Sequence, residues 1–277
     1  MRLTDLRKWL LVGIALLLAL CCVACSESAT IGEVTPLEIV TPTATTTVTP
    51  DELHQFKIIS DAYTSVNDWP SEKLYYALGI SLKEVLADID RSDTLITFEG
   101  ADGYHASLTA AQLFAPRYTY VGGEAKEVEP LLAYRMIESD DAAALKDAQH
   151  LTLPTLIFGQ ENESEHTNPA FVEDIVRIEI SDHIEQWSIP TIAEDATVIE
   201  AGETVKLLHP DFSKVKIYYT LDGSDPSIAS TLYNPSTYQP QLNTPITLHT
   251  DTTLKAIVLG YGRQSSPIAS FEIEVKK

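Results

Sequence analysis

The sequence predicts an α+β domain followed by an all-β sandwich. Three observations carry that reading. Helical and strand periodicities alternate between Asp51 and Ile180, only strand patterns occur from Ala196 to Val275, and turn-forming residues punctuate the second region at short intervals. The chain has 277 residues, enough for two domains, and its 44% apolar and 21% charged composition is that of a globular protein. With 19 Lys+Arg against 40 Asp+Glu, its net charge is −21. That balance excludes nucleic acid as a partner, because phosphates need a basic face. It also disfavours attraction to anionic lipid headgroups, so membrane attachment would have to be apolar or covalent.

The leader comes first. Arg2, Arg7 and Lys8 precede an apolar run, Leu10–Leu20, which is shorter than a spanning helix requires and reads as the core of a signal peptide over residues 1–24. Ala24-Cys25-Ser26 resembles the bacterial lipoprotein cleavage motif, with Cys22 where that motif usually has Leu. The resemblance implies a lipid on Cys25, a bilayer as partner and an extracytoplasmic address; an ordinary secretory signal is the alternative. All three cysteines lie at or before Cys25, so no disulfide, thiolate metal site or cysteine nucleophile is available downstream. Residues 25–50, with Thr41-Pro42-Thr43 and Thr45-Thr46-Thr47-Val48-Thr49-Pro50, read as an extended stalk.

Within 51–180, Ser81-Leu82-Lys83-Glu84 has the form of a capping box ahead of a helix, and Thr109-Ala110-Ala111-Gln112 repeats it. Thr94–Phe98 and Val176–Ile180 alternate like strands, with an Asp102-Gly103 turn after the first of them. Asp140–Ala148 is Ala-rich and reads as helical, and Asn168-Pro169 as an N-cap followed by Pro at the first helical position. Residues 181–195 read as a linker. In 196–277, Thr204–Leu208, Val215–Thr220, Thr252–Val258 and Ala269–Glu274 are strands of a small sandwich.

Two resemblances add to this. Ile217-Tyr218-Tyr219-Thr220-Leu221-Asp222-Gly223-Ser224-Asp225-Pro226, then Leu232-Tyr233-Asn234 and Thr252–Ala256, resemble the chitobiase/β-hexosaminidase C-terminal domain over about 197–275. That family implies an immunoglobulin-like sandwich without glycosidase activity of its own. Ser65–Pro70, Ala77–Leu86, Phe98–Tyr104, Leu131–Tyr134, Pro154–Gln160 and Phe171–Ile180 resemble the sulfite-oxidase-type molybdopterin-binding domain. The pairing of the two looks like that of surface proteins in Gram-positive bacteria. The alternative function the resemblance implies is an oxidoreductase using molybdopterin. Against it stands the missing cysteine: the ligand loop would fall near Ser60–Trp69, where a hydroxyl is not an equivalent donor. No cofactor is expected.

The candidate site residues follow. Trp69, Asp102, Tyr104, His105, Gln160 and Asn168 are candidates for a pocket, the turn at 102–105 because the corresponding family turn lies near the cofactor. Gln160–Asn168 is acceptor-rich, suited to a hard cation or sugar hydroxyls, or else simply a solvated loop. Tyr218, Tyr219, Tyr233, Tyr238 and Tyr261 are candidate stacking faces for sugar rings, Tyr219 and Tyr233 foremost, and Asp222 and Asp225 flank a segment that either binds calcium or forms a turn. Tyr218 and Tyr219 must face opposite sides of their strand, so one of the two is core. The seven histidines show no metal-ligand spacing, and no catalytic residue is assigned. The expected role is non-catalytic binding of cell-wall polysaccharide or a surface protein.

Overall fold

A computed structural model describes residues 30–89, 93–193, 196–236, 239–243 and 245–276. The leader, Cys25 and Tyr238 lie outside them. Residues Ile31–Lys277 form one compact unit, and among the described residues no helix is long and apolar enough to cross a membrane.

The first half is mostly β. Its strands are β1 (Leu37–Val40), β2 (Thr45–Val48), β3 (Ile58–Val66), β4 (Glu72–Ser81), β5 (Leu95–Gly100), β6 (His105–Thr109), β7 (Arg117–Thr119), β8 (Lys126–Val128), β9 (Leu131–Glu138), β10 (His150–Ile157) and β11 (Ile175–Ser181). They build a five-stranded sheet in the order β2-β1-β11-β5-β6, a four-stranded sheet in the order β10-β9-β4-β3, and the pair β7-β8. The β1–β11 pair is parallel and the other pairs of these sheets are antiparallel. Strand alternation turns Leu37, Ile96, Phe98 and Ile178 of the larger sheet towards Ile80, Leu132 and Leu156 of the smaller, and these form one buried cluster. A second cluster, with Tyr63, Tyr75, Ala77 and Ala133, uses the opposite face of the four-stranded sheet and takes Val128 of β8.

The expected α+β balance is corrected here. The helices are single turns: α1 (Pro50–Leu53), α2 (Leu82–Val85) and α3 (Ala110–Phe114). Ala142–Asp147 and Asn168–Ala170 are 3-10 turns. The capping box at Thr109 forms, with Gln112 N donating to Thr109 Oγ1 and Thr109 N donating to Gln112 Oε1. The one at Ser81 does not. Ser81 ends β4 fully buried and its hydroxyl donates to Glu129, while Glu84 accepts from Lys57 N instead. Competing partners distant in sequence, Glu129 and Lys57, thus displaced the local cap.

The stalk is also corrected for its described part. Leu37–Val40 and Thr45–Val48 are strands of the larger sheet, and Ile31, Val34, Leu37 and Val48 are buried in its core. Thr is β-branched and suits a pleated strand, so a Thr-rich stretch with an apolar residue at intervals has an ordered alternative to a solvated spacer.

The second half contains β12 (Thr191–Ile192), β13 (Val198–Glu200), β14 (Thr204–Val205), β15 (Leu207–Leu208), β16 (Lys216–Thr220), β17 (Thr231–Leu232), β18 (Ile246–Thr247), β19 (Thr252–Leu259) and β20 (Ala269–Lys276). The main sheet runs β13-β20-β19-β16-β17, with two-stranded pairs β12-β15 and β14-β18. Ile217, Leu254, Ala256, Val258 and Ile273 of the sheet meet Val205, Leu207 and Ile246 of the short pairs in one core. Trp187 joins that core, and Gln186 pairs with Gln264, so this part of the expected linker is packed.

The docking of residues 31–48 gives the first prediction. Leu37→Ala should destabilise the protein by about 2–5 kcal/mol, as truncation of a buried Leu does. Thr46→Ala, on an exposed position of β2, should stay within about 0.5 kcal/mol. Urea unfolding of both variants measures the contrast; equal effects near zero would return this segment to a spacer.

Candidate functional site

The two halves meet across a polar seam. At its centre Arg117, the first residue of β7, is 2% exposed and donates from NH1 to Glu165 Oε2 at 2.6 Å. Its Nε and NH2 both donate to the carbonyl of Gln112. Glu165 also accepts at Oε2 from the backbone of Glu161 and at Oε1 from the Tyr261 hydroxyl, 2.8 Å away, which comes from the loop after β19. The Tyr261 ring lies edge-on to Phe158 at 5.8 Å, on a ring that Arg117 also covers. Burial, then the Glu165 charge, raises the Tyr261 phenol well above its ordinary range, so it is a permanent donor.

The Gln112 side chain completes the seam. Its amide nitrogen donates to the carbonyls of Gly260 and Arg263, and its oxygen accepts from Gly262 N while still capping α3. Gly262 is required twice over. Its φ is +75°, and a Cβ there would stand 2.9 Å from Ser107 on β6.

A second polar cluster lies beside this one. Lys216 at the start of β16 faces Asp68 at 3.5 Å, Ser236 Oγ donates to the Asp68 carbonyl, and His166 Nδ1 stands 3.9 Å from Asp68 Oδ1. Nδ1 of His166 is buried and has no hydrogen-bond partner among the described residues. Burial, then Lys216, lowers the imidazole to about 4, so it is neutral near pH 7. Burial likewise lowers the Lys216 ammonium, against the raising effect of Asp68.

Clefts open on either side of the seam. One, of about 680 Å³, is lined by Gln112, Tyr218, Ile228, Ile257 and Gln264 among others. The other, of about 780 Å³, runs between β6 and the loops around Lys214 and Arg263. Tyr104 stands at this second cleft with 49% of its surface exposed. Its backbone N donates to Asp102 Oδ1 and its hydroxyl donates to the Pro169 carbonyl. Gly103, at φ +85°, makes the turn that aims it. On the opposite wall, Arg263 lies 4.5 Å above the Trp187 ring and pairs with Glu185.

Of the expected pocket residues, Tyr104 and His105 line this second cleft, and Asp102 sets the turn beneath them. Trp69 is 57% exposed and follows Asp68, which also lines the cleft. Gln160 is elsewhere: it is buried, accepts from Thr64 and donates to the carbonyls of Glu163 and Glu165, and so closes the 160–165 loop. Asn168 donates to the Tyr75 hydroxyl. The 160–168 loop is therefore partly buried structure, not an open acceptor loop.

Tyr219 and Tyr233 are both buried in the sandwich core, 6.5 Å apart and edge to face, so neither is a platform. Tyr218 does point the other way along the strand, and that outer face is buried too, against the first half. Asp222 Oδ1 accepts from Ser224 N and Oγ, which holds its carboxyl below the ordinary range, and Asp225 pairs with Lys255. The segment is a turn, and the described residues contain no metal-binding group of three or more His, Cys, Asp or Glu.

Sequence reasoning missed Arg117 and Lys216, and read Glu165 only as part of an acceptor-rich loop and Tyr261 only as a candidate stacking face. They come together only through tertiary packing, and no spacing links them. Gln112 gave a signal that was read as a helix cap alone.

The donor set bears on the molybdopterin resemblance. The described residues contain no cysteine. In the region where a ligand would stand, Thr64 Oγ1 is engaged with Gln160 and Tyr120, and Ser65 Oγ accepts from Thr167. These groups do not fit that cofactor.

Two predictions follow from the seam. Glu165→Ala leaves Arg117 charged and unpaired, which should cost about 3–5 kcal/mol in urea unfolding. His166 is neutral in both folded and unfolded chains above its ordinary value of 6.5. As pH falls from 6.5 towards 4, the unfolded chain takes a proton that the folded one refuses, and stability is lost. The difference between wild type and His166→Gln should therefore change by about 2–3 kcal/mol across that window. A constant difference in chemical unfolding would contradict it.

Known proteins give these comparisons. The family described as Fn3 associated matches residues 207–273. No curated protein matches the chain. Among solved structures, the sulfane dehydrogenase SoxCD from Paracoccus pantotrophus aligns at 10% identity and TM-score 0.34, over 84% of this chain and 68% of that one. The glycoside hydrolase domain of Spr0440, Endo-D, from Streptococcus pneumoniae R6 aligns at 15% identity and TM-score 0.24, over 79% of this chain and 36% of that one.

Proposed function

We propose that this chain is a non-catalytic binding protein of the cell envelope, lipid-anchored through Cys25, whose second cleft takes a polysaccharide. One observation carries the reading: an exposed tyrosine, Tyr104, tethered at both ends at a cleft of mixed polar and apolar lining. Sugar rings present C–H faces that stack on aromatic rings and hydroxyls that pair with polar rims. A ring already fixed in place loses little freedom on binding. The leader sequence supports the address, and the resemblance of the sandwich to chitobiase C-terminal domains agrees with a partner role on a surface.

A catalytic reading has less support. Glu165, Arg117, Tyr261 and His166 are locked in the seam with their hydrogen bonds or burial spent on holding the halves.

The test is retention of the full chain, in detergent, on insoluble cell-envelope polysaccharide. Tyr104→Ala should weaken retention about 3–10-fold, the range of a lost stacking contact. Tyr104→Phe, which keeps the ring, should weaken it less. Absence of retention by the unaltered chain, or equal retention by Tyr104→Ala, would sink the proposal.

A further inference from the structure

We propose that the first cleft, of about 680 Å³, is a separate site for an uncharged small molecule with an apolar body and one acceptor oxygen (a ketone, ester or amide), which takes the Tyr218 hydroxyl as its donor. The site does not depend on what the cleft at Tyr104 binds.

Its floor is the outer face of the β16–β19 pair. Tyr218 stands opposite Ile257 and Lys216 opposite Leu259, and residues paired across two strands share a face. Ile184, Pro226 and Ile228 of the flanking segments carry apolar surface round the sides. Ile184, Ile228, Ile257 and Leu259 are each only half-buried, so docking of the halves leaves this surface partly wet. A cleft of this volume suits a small organic ligand, and the ligand would complete the burial.

One polar group at the floor is unspent. Tyr218 is 3% exposed, yet its hydroxyl makes no hydrogen bond among the described residues and is not sealed from the cleft. A buried phenol ordinarily finds a partner. The neighbouring buried phenol does so: Tyr261 donates to Glu165 Oε1. Burial, then the charges of Glu165 and Glu161, raises the Tyr218 phenol, so it keeps its proton and has it to donate.

The lining selects against ions. Arg117, Lys216 and Arg263 stand on it with Asp93, Glu161 and Glu165, a balanced set in a chain whose carboxylates outnumber Lys+Arg about two to one. Arg117 and Glu165 are joined at 2.6 Å. A carboxylate brought to the Tyr218 hydroxyl would meet the field of Glu165 and Glu161. An ammonium there would meet Lys216, on the same face of the same strand. An uncharged ligand bears neither cost and still receives the phenolic hydrogen bond.

The experiment is calorimetric titration of benzylacetone into the full chain held in lipid nanodiscs, with empty nanodiscs as the blank. Phenylbutyrate and phenylbutylamine keep the apolar body and change the head to an anion and a cation. The ketone should bind with a Kd of about 1 mM or tighter, as a ligand this small can, and more tightly than either ion by about fivefold or more. Tyr218→Phe removes a hydroxyl that bonds nothing in the protein, so the thermal midpoint should hold while ketone affinity falls about 3–10-fold, the worth of one neutral hydrogen bond. Ile228→Trp, which fills the cleft from its side, should abolish the heat of binding. Ketone heats no larger than those of the blank overturn the site. Binding of either ion as tight as that of the ketone overturns the uncharged ligand. Ketone affinity unchanged in Tyr218→Phe or in Ile228→Trp overturns the placement at Tyr218.

Discussion

The geometry of both clefts depends on one carboxylate. Glu165 accepts from a guanidinium and a backbone amide at one oxygen and from a phenol at the other, and the guanidinium and phenol come from different halves of the chain. A buried charge is costly unless its lone pairs are filled and an opposite charge is near. Here both conditions hold, and they hold only when Tyr261 is docked. Separation of the halves would leave Arg117 and Glu165 paired with each other but would strip one donor from the carboxylate. The interaction therefore contributes orientation more than raw stability: few relative positions of the halves satisfy it.

Around that point the contacts are directional. Gln112 reads three backbone groups of the 260–263 loop, Asn162 donates to the Ile228 carbonyl, and Ser236 donates to that of Asp68. Hydrogen bonds of this kind fix register where an apolar contact would permit sliding. Gly262 lets the loop come so close to β6 that no side chain fits between. Gly260, Tyr261 and Arg263 line both clefts, so the pocket walls are held by the same bonds that hold the halves.

The sequence made the strands of the second half legible because their alternation is short, regular and separated by turn residues with plain stereochemical roles. The Asp102-Gly103 and Asp222-Gly223 turns were legible for the same reason: positive φ at Gly103 and Gly223 has few sequence solutions. The helices of the first half were over-read. Ser81-Leu82-Lys83-Glu84 satisfies every local rule for a cap, yet Glu129 and Lys57, far along the chain, claim its polar groups. Thr45–Val48 was misread because composition cannot distinguish a solvated Thr-rich spacer from an edge strand; the difference lies in a neighbouring strand, and β1 supplies it. Of the site, Tyr104 and His105 were within reach because a turn exposes them. The meeting of Arg117, Glu165, Tyr261 and Lys216 was not, since isolated charged or aromatic residues carry no mark of the partner they will meet.

The fate of the tyrosines shows how the fold limits where recognition can occur. Tyr218 and Tyr219 alternate as a strand requires, and in an isolated sandwich one of them would be available on the outer face. Docking of the first half covers that face, and the sandwich core takes Tyr219 and Tyr233. The sandwich thereby gives up its aromatic surface to become the wall of a cleft, and the exposed ring at that cleft is supplied by the other half, at the tip of the β5–β6 hairpin. The lining of that cleft comes from both halves at once. Any molecule that bound across it would, by linkage, also stabilise the docked arrangement that Glu165 holds.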